Sequence, residues 1–428
     1  SMGESGCYCQ ESGLDVPERV WQIDLKRDHV GIFLRPSSIA ERACRASMTH
    51  IGKNTVKVYL RGLNACVMRH DKLRQYRDFL NANGHTIVQS PDLADWMVLW
   101  TCAFRGDHRD ASAATVKAHL DKYHGSVLVA GCLPAIAPRL VEGQGERLVL
   151  AGWSDDAKVF DRIFMTSRSL AEFRSVFVQE RLCEDASAYR KKTGKDATFH
   201  DQFIKLLVSE GCNFKCAYCS ERLAFPEYRS VPPDRLEAAC RAMVQKTGVH
   251  DVILVADSLG QYGRDIGTDL PVLVRRLSGI HPDMRFALNN LHLANFLEFL
   301  DEFRRLIREG RVRHVNLPIQ SASDSVLERM NRQYRRADIE RVFGLFHELA
   351  FRAFDTHIIV GFPGEREADV DETLELLLRY KPQYVLASRY MESDAAPSAA
   401  MEPKISEGVA MARLKRIERV LTGEGIIC

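Results

Sequence analysis

Short apolar runs alternate with longer amphipathic stretches through the C-terminal half of the chain. The runs are FIKLLV (203–208), VILVA (252–256), RFALN (285–289), HVNLPI (314–319), HIIV (357–360) and YVLA (384–387). Segments between them, such as DLPVLVRRLSGI and NFLEFLDEFRRLIREG, repeat apolar residues every three or four positions, the helical period. Six strands alternating with helices predict a parallel sheet, because every parallel return needs a crossover connection. The expected architecture is α/β, an open or partial barrel of six β/α units.

The N-terminal half repeats the alternation on a smaller scale. VKVYL (56–60), WMVLW (96–100), SVLVA (126–130) and RLVLA (147–151) read as strands, separated by helical patterns such as DKLRQYRDFLNANG and DASAATVKAHLDKYHG. They predict a small doubly wound α/β domain over 54–152. Residues 1–53 are then an extension of unassigned role, 153–200 a partly helical linker, and 201–428 the barrel with a C-terminal helix.

Composition narrows the function. The chain has 428 residues, and 59 Lys and Arg against 57 Asp and Glu leave a net charge of +2, which neither demands nor excludes a polyanion partner. No apolar run reaches the roughly 18 residues of a membrane span, and no signal pattern opens the chain, so a cytoplasmic location is expected. Twelve cysteines without a secretory signal point to metal, cluster or redox use rather than a disulfide scaffold.

Chemistry in parallel α/β folds gathers beyond the carboxyl ends of the strands. GCNFKCAYCS follows the first barrel strand there, with Cys212, Cys216 and Cys219 spaced three and then two residues apart. Three thiolates can ligate three irons of a cubic cluster and leave the fourth open to a chelating amino-carboxylate such as the methionine end of S-adenosylmethionine. A zinc site completed by a distant His or Cys is the alternative that spacing leaves open. Three further cysteines follow strands of the smaller sheet: Cys66 in RGLNACVMRHD, Cys102 in WTCAFRG and Cys132 in AGCLPA. Strand ends of one parallel sheet lie side by side, so these thiols are placed to share a second cluster.

The chain resembles the radical S-adenosylmethionine (radical SAM) superfamily, and within it the methylthiotransferases, over roughly residues 55 to 420. The resemblance is carried by GCNFKCAYCS, VADSLGQYGRD, LPIQSASDSVLERMNRQYRR and IIVGFPGE. It implies a 4Fe-4S cluster on Cys212, Cys216 and Cys219, with Tyr218 near the adenine of S-adenosylmethionine. Gln320, Ser321 and Arg332 would lie near its ribose and carboxylate, and Gly361, Phe362, Pro363 and Gly364 would form a turn that approaches it closely. It also implies a second, auxiliary 4Fe-4S cluster on Cys66, Cys102 and Cys132, used as sulfur donor, and a reductant partner such as flavodoxin or ferredoxin.

Two departures qualify the resemblance. Leu63 follows Gly62 where the family places a cysteine, and Arg69 and Lys72 stand at its Asn and Asp positions. The chain also ends after ARLKRIERVLTGEGIIC, without the family's TRAM module for tRNA. The expectation is therefore an enzyme that generates a 5'-deoxyadenosyl radical and inserts sulfur or methylthio at an unactivated C–H of a peptide, protein side chain or small metabolite. Alternatives are an auxiliary cluster that carries electrons or binds substrate without sulfur transfer, a tRNA methylthiotransferase using another RNA-binding surface, or a non-catalytic scaffold. Asp257, Tyr262 and His292 lie on barrel loops as pocket candidates, with a core role equally open for His292. Cys240 reads as a core residue, Cys44 and Cys183 lack partners at ligand spacing, and Cys7, Cys9 and Cys428 are spare thiols.

Overall fold

The computed structural model describes residues 55–63, 72–143, 147–173, 176, 178–182 and 202–428. Two sheets organise the chain. The first has strands β1 (Lys57–Leu63), β2 (Thr86–Val88), β3 (Trp96–Thr101), β4 (Ser126–Gly131) and β5 (Leu148–Gly152), in the order β2-β1-β3-β4-β5. Every pairing in it is parallel, which gives the doubly wound arrangement. Its strand ends are flush: Leu63 pairs with Thr101, Thr101 with Gly131, and Gly131 with Gly152.

The second sheet takes β6 (Val178–Leu182), β7 (Gln202–Glu210), β8 (Arg229–Ser230), β9 (Asp251–Ala256), β10 (Arg285–Leu288), β11 (Val312–Asn316), β12 (Phe354–Val360) and β13 (Tyr384–Arg389). Its path runs β13-β12-β11-β10-β9-β7-β6, with β8 paired to β7. Six parallel strands in sequential order form the partial TIM-like barrel. β6 and β8 pair antiparallel with β7. Sequential order follows from the crossovers, each of which lays its helix on the same face as the last.

Each sheet has its own core. Val98, Leu99, Val127, Leu128 and Val129 are fully buried in the first, as expected for strands covered on both faces. In the second, Leu206, Leu254, Phe286, Val315 and Ile358 join helical residues such as Phe296, Phe303, Phe343 and Phe346. Cys240 lies in this core and is fully buried, with its thiol pushed up to about 12 by burial. Among the described residues no helix is long and apolar enough to cross a membrane.

Among the described residues, Ala224, Phe225 and Ala395 of the barrel half pack into the core of the first sheet. Ala224 and Phe225, directly after the three-cysteine loop, are buried in the core of the first sheet. The Phe225 ring lies 5.3 Å from that of Trp153, and the helix Glu221–Ala224 packs on the helix Cys132–Ile136.

Candidate active site

The three-cysteine loop leaves β7 at Gly211, whose φ is +82°. A Cβ there would come within 2.2 Å of the Glu227 carbonyl oxygen, so only glycine fits this exit. Gly211 N–H donates to Asp257 Oδ2 at 2.7 Å, and Asn213 N–H to Gln261 Oε1 at 2.9 Å. Ala217 N–H donates to the Met330 carbonyl at 2.9 Å, and Asn331 Nδ2 to the Lys215 carbonyl at 2.7 Å. Loops after β9 and β11 therefore hold a segment that has no regular structure of its own.

Within the loop, Cys219 N–H donates to the Cys216 carbonyl at 3.2 Å, which folds the last two cysteines together. Burial pushes the Cys212 thiol up to about 11 and raises Cys219 further. The charge of Cys216 adds to both shifts, so the three sulfurs share one electrostatic neighbourhood. Cys212 and Cys219 are therefore protonated at neutral pH, and a bound cation would favour their thiolate forms. That donor set, with Cys216 buried and Cys212 and Cys219 half-buried beside it, fits a three-thiolate iron–sulfur cluster.

Arg332 is buried against the same loop. Its Nη1 donates to Cys216 Sγ at 3.3 Å and to Tyr218 Oη at 3.1 Å, Nη2 to the Pro318 carbonyl at 2.7 Å, and Nε to Tyr334 Oη at 2.7 Å. The guanidinium thus places positive charge on the Cys216 sulfur and orients Tyr218. Tyr218 packs on a small apolar cluster of Val326, Met330 and Phe362.

Gln320 has φ +67°, the left-handed region that non-glycine residues rarely occupy. Its N–H donates to the His357 carbonyl at 2.8 Å, and its own carbonyl accepts from Ile359 N–H at 2.9 Å. Two bonds to β12 hold the strained backbone in place. Ser321 Oγ lies 3.3 Å from Thr373 Oγ1 and accepts from Ser323 N–H at 3.1 Å, a network inside the fold.

The GFPG turn has both glycines at positive φ, +75° at Gly361 and +82° at Gly364. The close approach each permits is to protein. A Cβ on Gly361 would come within 2.5 Å of the Ala410 side chain, and one on Gly364 within 2.5 Å of the Arg329 guanidinium. Arg329 Nε donates to the Pro363 carbonyl at 2.8 Å. Below the turn, Glu365 Oε2 accepts from Gly361 N–H at 2.6 Å and from Arg413 Nη1 at 2.9 Å, so the C-terminal helix Glu407–Gly423 braces it.

In the first sheet, Cys102 follows β3 and Cys132 follows β4, one step beyond the paired Thr101 and Gly131. Both are buried. Trp153 Nε1 donates to Cys132 Sγ at 3.0 Å. The indole N–H of Trp100 is buried without a partner among the described residues, beside the position a Cβ on Gly131 would take. Sulfur-directed and orphaned N–H donors at these strand ends suit an anionic group. Cys66 lies outside the described residues, as do Cys7, Cys9, Cys44, Cys183 and residues 1–54. Lys72 is buried and ion-paired with Asp156, which also accepts from Tyr76 Oη at 3.1 Å.

Sequence reasoning missed the pinning roles of Gln261 and Trp153, whose positions carry no local signal. Tyr262 donates to the Val231 carbonyl at 2.9 Å and is buried, a structural residue. A cleft of about 360 Å³ opens between the two sheets, lined by Gly106, Arg109, Pro363, Tyr390, Met391 and Lys404. At the opposite end of the barrel His250, His281 and Asp283 gather donor atoms within 4.8 Å of one another. The two rings are stacked 3.9 Å apart at 11°, so no ion can lie in both ring planes, and the group is poorly disposed to chelate.

Comparison with known proteins agrees with this division. Residues 57–151 match the family described as uncharacterized protein family UPF0004, and 206–377 match the radical SAM superfamily. The threonylcarbamoyladenosine tRNA methylthiotransferase of Xenopus laevis is 30% identical over 80% of this chain, which spans only 61% of that relative's length. A probable threonylcarbamoyladenosine tRNA methylthiotransferase of Pyrococcus horikoshii is 28% identical, over 78% of this chain and 77% of its own. Among solved structures, the radical S-adenosylmethionine methyltransferase TsrM from Kitasatospora setae shares the fold with a TM-score of 0.55 at 13% identity, covering 81% of this chain and 77% of its own.

These relatives correct the expected substrate and partner. A peptide, protein side chain or small metabolite was expected in place of tRNA, and the relatives carry tRNA in their names. The expectation rested on where the chain ends and on its balanced charge, and neither reports which substrate the site accepts. With the three-thiol loop on a partial barrel and a UPF0004 sheet docked beside it, the chain is similar over about four fifths of its length to methylthiotransferases and carries a segment that matches the radical SAM superfamily.

Proposed function

We propose that the chain is a cytoplasmic radical SAM methylthiotransferase that acts on an adenosine of tRNA, with threonylcarbamoyladenosine as the first candidate. The observation that carries this reading is the seat of the helix Glu221–Ala224. It ties the loop of Cys212, Cys216 and Cys219 to the strand-end elements that bear Cys132. A radical site and a sulfur site would have to meet on one substrate carbon, and this contact supports the reading because it links the two cysteine-bearing elements.

Cys212, Cys216 and Cys219 would hold one 4Fe-4S cluster; Cys102 and Cys132, with Cys66, would hold a second. Bound there, the clusters and S-adenosylmethionine supply an electron, a carbon radical able to take hydrogen from an unactivated C–H, and sulfur for the new bond. The chain's own work is placement. Asp257 and Gln261 fix the loop backbone, Arg332 holds positive charge on Cys216, and Tyr218 with Phe362 offers an apolar face for an adenine. The Gly361–Gly364 turn, braced by Arg413, walls the same side. A flavodoxin or ferredoxin would be the electron source.

Two measurements test the reading. Full-length chain with Cys212, Cys216 and Cys219 all changed to Ala, reconstituted anaerobically, should retain about four irons, as a residual cubic cluster gives; no iron would remove the sulfur-donor cluster. Anaerobic turnover of the wild type with dithionite, S-adenosylmethionine and threonylcarbamoyladenosine tRNA should yield 5'-deoxyadenosine and a nucleoside heavier by a methylthio group. Formation of 5'-deoxyadenosine with no sulfur in the nucleoside would sink the transfer half.

A further inference from the structure

We infer that His292 is a binding residue for S-adenosylmethionine, presenting its Nε2–H to an oxygen of the ligand's ribose or amino-acid part. This deepens the proposed reading of the barrel site and rests on it.

His292 follows β10 at the carboxyl end of the barrel and begins the helix Leu293–Glu298. Its Nδ1 accepts from the Ala294 N–H at 3.3 Å. A nitrogen that accepts carries no proton, so the neutral ring carries its proton on Nε2. Burial, reinforced by the charge of Arg332, holds the pKa of His292 well below that of an ordinary histidine, and the ring stays neutral. Since Nδ1 faces its own helix, Nε2 faces away from it.

That N–H has no partner among the described residues, although His292 is only 6% exposed. Leaving a buried donor unsatisfied is unfavourable, because the group has given up its water without gaining an acceptor. His85 shows what a purely structural histidine looks like in the same chain. It is equally buried at 6%, and both nitrogens are used: Nδ1 by the Val56 N–H at 3.2 Å and Nε2 by the Phe164 carbonyl at 2.7 Å.

The ring is also immobilised against the cluster loop. It stacks on Phe214, between Cys212 and Cys216, with centroids 3.7 Å apart and planes at 16°. Its edge meets Tyr334 at 5.3 Å, and the Tyr334 hydroxyl accepts from Arg332. A ligand of a cluster held by Cys212, Cys216 and Cys219 would lie close to this loop. A neutral, fixed N–H donor at this place matches an oxygen acceptor on the chelated ligand and adds no charge to a site that already holds Arg332.

The test is equilibrium binding of S-adenosylmethionine to the anaerobically reconstituted full chain, with iron counted in each sample. His292→Phe keeps a flat ring for Phe214 and removes the donor; it should hold the wild-type iron content and bind S-adenosylmethionine about tenfold more weakly or worse, as loss of one buried hydrogen bond predicts. His292→Gln restores an N–H near the Nε2 position and should recover part of the loss. Wild-type affinity in the Phe variant overturns the assignment. Loss of iron in the Phe variant overturns it too, in favour of a ring that only supports the loop. Wild-type chain that carries iron yet fails to bind S-adenosylmethionine overturns the barrel-site reading itself.

Discussion

Glu365 joins the turn after β12 to the C-terminal helix, and its protonation is set by that place. Burial pushes its carboxyl up to about 7, against the pull of the Gly361 N–H and the Arg413 guanidinium. Between the ordinary glutamate value near 4.5 and about 7, the folded chain holds a proton that the unfolded chain has released. Stability should therefore fall as pH rises through that window and level off above it. Urea midpoints of the cluster-free chain measured from pH 4.5 to 7.5 should show a shallower fall for Glu365→Gln. Asp155, raised to about 6 by burial and by Asp156, leaves a residual slope in the same window. An unchanged slope in the variant would place the titration elsewhere.

At the scale of elements, the turn GFPG reads in the sequence as a loop shaped for a ligand, and the structure gives its glycines a protein neighbour. Gly361→Ala meets both a positive φ and the Ala410 side chain, and should cost roughly 1–3 kcal/mol in chemical denaturation. Adding Ala410→Gly should return part of that loss, because it clears the contact and leaves the φ strain. Full recovery would show that contact, not backbone conformation, selects glycine here. Hydrophobic alternation placed ten strands within a few residues, since each packs an apolar run under helices. It placed β11 too late, at 314–319: Pro318 cannot donate to a ladder, and the chain leaves the sheet at Asn316. β2 and β8 are too short to give a period. The sequence VQERL of β6 lacks the apolar run by which strands were recognised. The three-cysteine loop was legible because its spacing is a local pattern that needs no knowledge of the fold. The orphaned N–H of His292 was not, because it depends on what surrounds the ring.

At the scale of the whole molecule, the join between the two sheets has an apolar part at Phe225 and a polar part where Arg109 donates to the Glu392 carbonyl at 3.3 Å. Phe225 is buried against Trp153 in the core of the first sheet although it follows the loop of the second. Phe225→Ala should cost roughly 3–5 kcal/mol, the range for emptying a buried aromatic site. Calorimetry should then resolve two transitions where the wild type shows one. A single transition, merely shifted, would mean that other contacts hold the halves together.

The same join has a consequence for ligands. Trp153 touches Cys132 on one side and Phe225 on the other, and Phe225 ends the short helix that follows Cys219. A ligand on either set of thiols would act on one seat that both share. Linkage then runs both ways: occupancy of the first sheet's cysteines should raise affinity at the barrel, and occupancy of the barrel should return the favour by the same factor.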